Sequence, residues 1–81
     1  MKVSVGQFAV AKDWETNAAT CVGMIAKARG ENADLLVMPE AILARDITDP
    51  SAVRRTAQPL DGPFMRQILH ASAGSNLTIL F

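Results

Sequence analysis

The chain contains no tyrosine and holds one cysteine, one histidine and one tryptophan, and these shortages bound what it can do. A lone Cys21 cannot close an internal disulfide, and Cys21 with His70 cannot complete a zinc site, so no metal centre is expected from these residues. Charge of either sign is not in excess: eight basic residues balance eight acidic ones, and Arg54-Arg55 is the only adjacent basic pair. That leaves no electrostatic footprint for nucleic acid or anionic lipid, and neither partner is expected. Apolar runs are short, and none approaches the roughly 18 residues that would suggest a membrane span. The start, Met1-Lys2-Val3-Ser4-Val5-Gly6-Gln7, lacks the sustained apolar stretch and small-residue cleavage site of a secretory signal, which predicts a cytoplasmic protein. Repeats, low-complexity stretches and long linkers are missing too. At 81 residues the chain predicts one small domain, near the lower limit of what a single core can stabilise.

The most telling feature present is Pro39-Glu40, set at the end of the apolar run Leu35-Leu36-Val37-Met38. An apolar run that stops at a proline reads as a buried strand. Met38 precedes a proline and is held extended, and Pro39 has no N–H for another ladder bond, so Glu40 leaves the sheet from a stiff exit. A carboxylate at the carboxyl end of such a strand is a candidate general base, with a rim or capping group as the plainer alternative.

The other elements follow from periodicity and punctuation. Val3 to Val10 predict a first strand covered on both faces, in which Gln7 is a buried amide satisfied by neighbouring loops and has no catalytic role. Asp13 as N-cap and Glu15 in the first turn predict a helix from Trp14 to Arg29, stopped by Gly30. Its Ala18, Cys21, Val22, Ile25 and Ala28 would face the sheet, which makes Cys21 a small core residue rather than a nucleophile. Ala33 to Met38 form a second strand, parallel to the first through a right-handed crossover. Asp49-Pro50 opens a short helix through Ala57, ended by Pro59. Gly62-Pro63 opens another, with Phe64, Met65, Ile68 and Ala71 on one face, His70 on the opposite face and Gly74 closing it. His70 reads as a solvated residue suited to a helix C-terminus, and Met24, Met38 and Met65 as core filling. Leu77 to Phe81 read as a third strand. An apolar strand ending there would expose an unpaired edge and a charge, so further chain is expected after Phe81.

Taken in order, Val3-Ser4-Val5-Gly6-Gln7-Phe8, Asn17 with its alanine-rich helix, Ala33-Asp34-Leu35-Leu36-Val37-Met38-Pro39-Glu40-Ala41 and Leu60-Asp61-Gly62-Pro63 resemble the amino-terminal portion of the nitrilase superfamily, the carbon–nitrogen hydrolases. The resemblance implies an α/β fold, the first part of a four-layer α-β-β-α sandwich, with residues 1–81 as a partial domain truncated after its third strand. It also implies a thiol mechanism without cofactor or metal, run by a Glu-Lys-Cys triad in which Glu40 matches the glutamate, the general base. The matching lysine and cysteine lie in later segments of the family, so these residues alone are expected to be inactive. Complete members hydrolyse small-molecule amides or nitriles and usually form dimers or larger assemblies, so a homo-oligomer is implied. The stretch Pro39-Glu40-Ala41-Ile42-Leu43-Ala44-Arg45-Asp46 is most similar to the bacterial amidases acting on deaminated glutathione, which points to a carboxylated amide. Arg45 and Asp46 could touch such a carboxylate or form a rim salt bridge. Two other readings stand beside this one. A truncated, non-catalytic chain could associate through its open sheet. A small Rossmann-like binding module would need a phosphate cradle after the first strand, where Val10-Ala11-Lys12-Asp13-Trp14 offers no glycine and carries an acid.

Overall fold

The computed structural model describes residues 1–39 and 43–81. Six elements follow in the order β1 (Val3–Val5), α1 (Trp14–Gly30), β2 (Leu35–Val37), α2 (Ala52–Thr56), α3 (Pro63–Ser72) and β3 (Thr78–Leu80). The strands form one parallel sheet in the order β1-β2-β3, as the crossover helix requires, and the fold is α/β. Residues fall into cross-strand rows Val3–Leu35–Thr78, Ser4–Leu36–Ile79 and Val5–Val37–Leu80.

The middle row faces the helices. Leu36 joins Ala18, Cys21, Ile25 and Ala28 of α1 and Phe64 and Ile68 of α3 in the buried core, with Ile79 packed against it. The two outer rows point the other way and stay open: Val3, Val5 and Leu80 are 50%, 66% and 58% exposed. A first strand covered on both faces is therefore not what the described residues form, because both long helices lie on one side. The strands are also shorter than their apolar runs predict. After Val5 one more ladder bond forms, from the Gly6 amide to Val37 O at 2.7 Å, and then the chain turns away. Gln7, expected as a buried amide, is exposed on that departing segment.

Asp13 caps α1 as its sequence position predicts, its carboxylate accepting from the Thr16 amide at 3.0 Å and the Thr16 hydroxyl at 2.6 Å. The other end differs from expectation. Gly30 is the last helical residue and does not stop the helix; Asn32 does, with φ 57°. The Asn32 amide donates to Arg29 O and the Ala33 amide to Ala28 O, both at 3.0 Å, which is the pair of bonds that satisfies the last carbonyls in a Schellman turn. Asparagine tolerates this left-handed conformation better than other non-glycine residues. Val22 is only half-buried, and Asn17 takes a place on the buried face instead.

Helix α2 begins at Ala52, later than Asp49-Pro50 predicts, because Asp49 first closes a turn by accepting from the Ser51 amide and hydroxyl. In α3, Pro63 occupies the first turn as expected, and Gly74 follows the helix at φ 73°. Gly62 has no side chain to cap α3, so Gln58 Oε1 accepts from the Phe64 amide at 3.0 Å. A Cβ on Gly62 would come within 3.0 Å of Pro59 O, which explains the glycine in Asp61-Gly62-Pro63 by close approach.

The Schellman turn gives a direct test by chemical denaturation. Asn32→Gly is expected to leave stability unchanged or raise it slightly, whereas Asn32→Val should cost about 1–2 kcal/mol, since a β-branched residue is strained at positive φ. Equal stability of the two variants would contradict the left-handed assignment at Asn32.

Candidate functional site

Parallel sheets carry their chemistry at the carboxyl edge, where strands give way to loops. Here that edge is fixed by the end of β2. The Met38 amide donates to Leu80 O at 2.9 Å, and Pro39 then has no N–H to extend the ladder. Glu40, the predicted general base, lies outside the described residues together with Ala41 and Ile42. What the structure gives is the frame on either side of it.

On the incoming side, Met38 is buried and Pro39 half-buried. On the outgoing side, the chain from Leu43 to Asp46 lies against the turn between β1 and α1. Asn17 Nδ2 donates to both Leu43 O and Ala11 O at 3.0 Å, and its Oδ1 accepts from the Ala11 amide at 2.7 Å. The Arg45 amide donates to the same Ala11 carbonyl at 2.9 Å. Lys12 Nζ reaches Asp46 Oδ2 at 3.8 Å, a long pair in which the lysine is exposed and the aspartate half-buried, of small energetic weight. Asp46 also accepts from the Thr48 hydroxyl and amide, and these bonds, with Lys12 beside them, hold its carboxyl below the usual range. Asp46 thus has a local role at the rim, the plainer of its two readings, while Arg45 is exposed.

Pro39 and Leu43, which bracket the Glu40 segment, line an open apolar pocket of about 240 Å³ with Phe64 and Met65 from α3 and Gln58 and Pro59 before it. A larger groove of about 460 Å³ runs along the outer edge of β1 beside Met24, Lys27 and Glu31. It follows an unpaired strand edge away from the end of β2, so the smaller pocket is the better candidate for a site. Asp13 occupies the N-terminus of α1, where a nucleotide phosphate would sit in a Rossmann-like module, and its bonds from Thr16 hold its carboxyl below the usual range.

The single cysteine is not placed for thiol chemistry. Cys21 has no exposed surface and lies within the α1 face of the core, and burial pushes its thiol up to about 11. Nucleophilic cysteines have the opposite environment, partly exposed and with a lowered pKa. His70 is exposed on α3, as expected. Asn17 is the residue whose role composition and motifs leave unstated. Its signal is spacing: Asn17, Cys21 and Ile25 recur every fourth residue, which puts the amide on the buried stripe.

Comparison with known proteins adds a relative. Deaminated glutathione amidase of Escherichia coli O157:H7 is 39% identical to this chain over 80 residues, which is 99% of the chain and 30% of that protein. No family model matches the chain, and no solved structure matches it. Among the described residues no helix is long and apolar enough to cross a membrane.

The environment of Cys21 predicts inert behaviour. An aromatic disulfide reagent at neutral pH should leave the thiol unmodified in the native chain and modify it fully in denaturant. The sign of the pH effect follows from the raised pKa. Below about 8.5 both folded and unfolded states keep the proton and this group changes nothing. As pH rises from there towards 11 the unfolded chain ionises first, so stability falls in that window. Rapid native labelling would contradict the burial.

The likeness runs along nearly the whole of this chain, and the chain spans about 30% of the length of that amidase.

Proposed function

We propose that the chain is the amino-terminal part of a thiol-dependent amidase that hydrolyses the carbon–nitrogen bond of a small carboxylated amide, with Glu40 as general base. The observation that carries this reading is the 39% identity to deaminated glutathione amidase across 80 residues, a stretch that includes Pro39-Glu40. Supporting it, β2 ends at a proline on the carboxyl edge of a parallel sheet, beside a small apolar pocket. Deaminated glutathione is the substrate class suggested by the relative's name. A cytoplasmic location belongs to the same reading.

The chemistry assigns Glu40 a single recurrent task. A cysteine thiol at neutral pH is mostly protonated and a weak nucleophile in that form. Glu40 takes its proton, the thiolate attacks the amide carbonyl carbon, and the nitrogen leaves with a proton as ammonia or an amine. The acyl group remains as a thioester, which water hydrolyses after giving its proton to the same carboxylate, restoring the thiol. A lysine ammonium stabilises the negative charge developing on the substrate oxygen. Both the nucleophilic cysteine and that lysine are supplied from outside these residues, since buried Cys21 is unsuited to the first role.

The open face of the sheet supports the associated architecture. Val3, Val5 and Leu80 are more than half or about half exposed there, and apolar strand residues gain roughly 1.5–3 kcal/mol each on full burial. In the proposed four-layer sandwich a second sheet covers that face. The same observation favours a second reading, a non-catalytic chain that associates through this face. The two diverge in turnover.

In the native polypeptide as its source makes it, Glu40→Gln should lower kcat for deaminated glutathione by about 100-fold to 10,000-fold, the range for losing a general base. Burst release of product followed by slow thioester hydrolysis would place the loss at deacylation. An active wild type with an equally active Glu40→Gln variant would rule out the assigned base, and no turnover by the wild type would favour the association reading.

A further inference from the structure

Strand β1 is a lateral edge of the sheet among the described residues. Its bonds to β2 run through the even positions: Lys2 O accepts from the Leu35 amide at 3.3 Å, and the Gly6 amide donates to Val37 O at 2.7 Å. Parallel pairing uses alternate residues, so Val3 and Val5 turn their own N–H and C=O groups away from β2. A row of unpaired backbone groups is a template for another strand, and proteins usually blunt it with proline or an outward charge. Here β1 holds no proline, and the neighbouring charge is drawn back onto the helix, where Lys2 Nζ donates to Glu31 O.

Helix α1 runs antiparallel to this edge along the groove of about 460 Å³. Met24 lies against Gly6, its Sδ 2.6 Å from where a Cβ would stand, and Glu31 lies beside Lys2. Lys27 falls between these two points, about level with Ser4. Lys27 and Glu31 both line the groove, both are exposed, and neither forms an ion pair among the described residues. A cation and an acid one helical turn apart, each unpaired, make a pattern that complements itself after a half-turn.

We infer that this edge is an interface for a second copy of the chain, with the two β1 strands antiparallel about a two-fold axis that passes through Val3 perpendicular to the sheet. Such an axis keeps the helices of both copies on one face and sets the two α1 helices side by side across the seam. Charge chooses the register. An axis at Ser4 would set Lys27 against Lys27 of the second copy, whereas an axis at Val3 sets Lys27 against Glu31 of the second copy, twice by symmetry. The same register puts Val3 opposite Val3, and their outward N–H and C=O groups then bond each other in both directions. It also brings the two half-exposed Val3 side chains together on the open face. The interface does not depend on the amidase reading.

The test is sedimentation of the native polypeptide over a range of concentrations, with hydrogen exchange read at the Val3 and Val5 amides. Wild type is expected to form a dimer that dissociates on dilution, with both amides protected only in the dimer. Val3→Pro removes the N–H that faces the second copy and leaves the bonds from β1 to β2 in place, so two bonds are lost at the axis and Kd should rise by about 10-fold or more. Lys27→Glu and Glu31→Lys should each raise Kd by about 3-fold to 10-fold, and the two together should return it to within about 3-fold of wild type. If Val3→Pro does not fold, the charge variants decide. A monomer at every concentration would overturn the interface, as would a dimer indifferent to these substitutions, which would associate through another surface. Failure of the double exchange to restore the dimer would overturn the register at Val3. A monomer with Val3 and Val5 already protected would show the edge taken by another strand of the same polypeptide, and would overturn the inference too.

Discussion

A side-chain amide cut off from water must find its partners within the protein, and at Asn17 that requirement organises one end of the molecule. The helix that carries it is anchored at both termini, by the Asp13 cap at one end and the Schellman turn at Asn32 at the other. Its packing against Leu36 and α3 then fixes the depth and rotation of Asn17 relative to the sheet. From there the amide dictates the positions of Ala11 and Leu43. Local capping, core packing and loop placement are thus steps of one chain of constraint. Substituting a polar group for an apolar one elsewhere on the α1 stripe would leave it without such partners and cost about 1–3 kcal/mol for the unmade bond.

Much of this was legible in the sequence. Asp13, Glu15, Gly62-Pro63 and the apolar spacing of α3 identify both long helices because caps act locally and leave a residue-level trace. The parallel order of β1 and β2 follows from the helix between them. Coverage of the sheet was not legible. Val3, Val5 and Leu80 have the composition of buried strand positions, but burial also needs a partner layer, and among the described residues both long helices pack on the other face. Nor did the stop of α1 follow from the residue most often found there. Gly30 and Asn32 compete for the left-handed position, and the choice depends on which carbonyls the next two amides can reach, which is a three-dimensional matter. Asn17 was hidden for a similar reason, since its residue type suggests surface while its spacing places it in the core.

The separation of structural from chemical roles follows the same logic. Cys21 is the more reactive residue type by name, yet its place among Ala18, Ile25 and Ala28 raises its pKa and denies it access to solvent. Its small volume suits a helix lying close on the sheet, in a face built from Asn17, Ala18, Cys21, Ile25 and Ala28. The β2 ladder, by contrast, ends at Pro39, and the proline and the apolar run before it signalled that end in the sequence.

The two edges of the sheet are built differently. At the amino edge the polar groups are committed to each other: Asp34 accepts from the Lys2 amide at 2.7 Å, its own amide donates to Lys2 O at 2.7 Å, and its carbonyl accepts from Thr78 at 2.9 Å. Those bonds set the strand register beside an open groove of about 420 Å³ lined by Asn32, Asp34 and Leu77. At the carboxyl edge β2 finishes on a residue that cannot donate, and the loops that follow are held from the side by Asn17 and by the Arg45 amide on Ala11 O. Loops held in this way border a pocket without filling it. A loop held from both sides beside an open space has less freedom to lose when a ligand enters than a freely hinged one, and Pro39 and Leu43 are the described residues through which this edge gains that advantage.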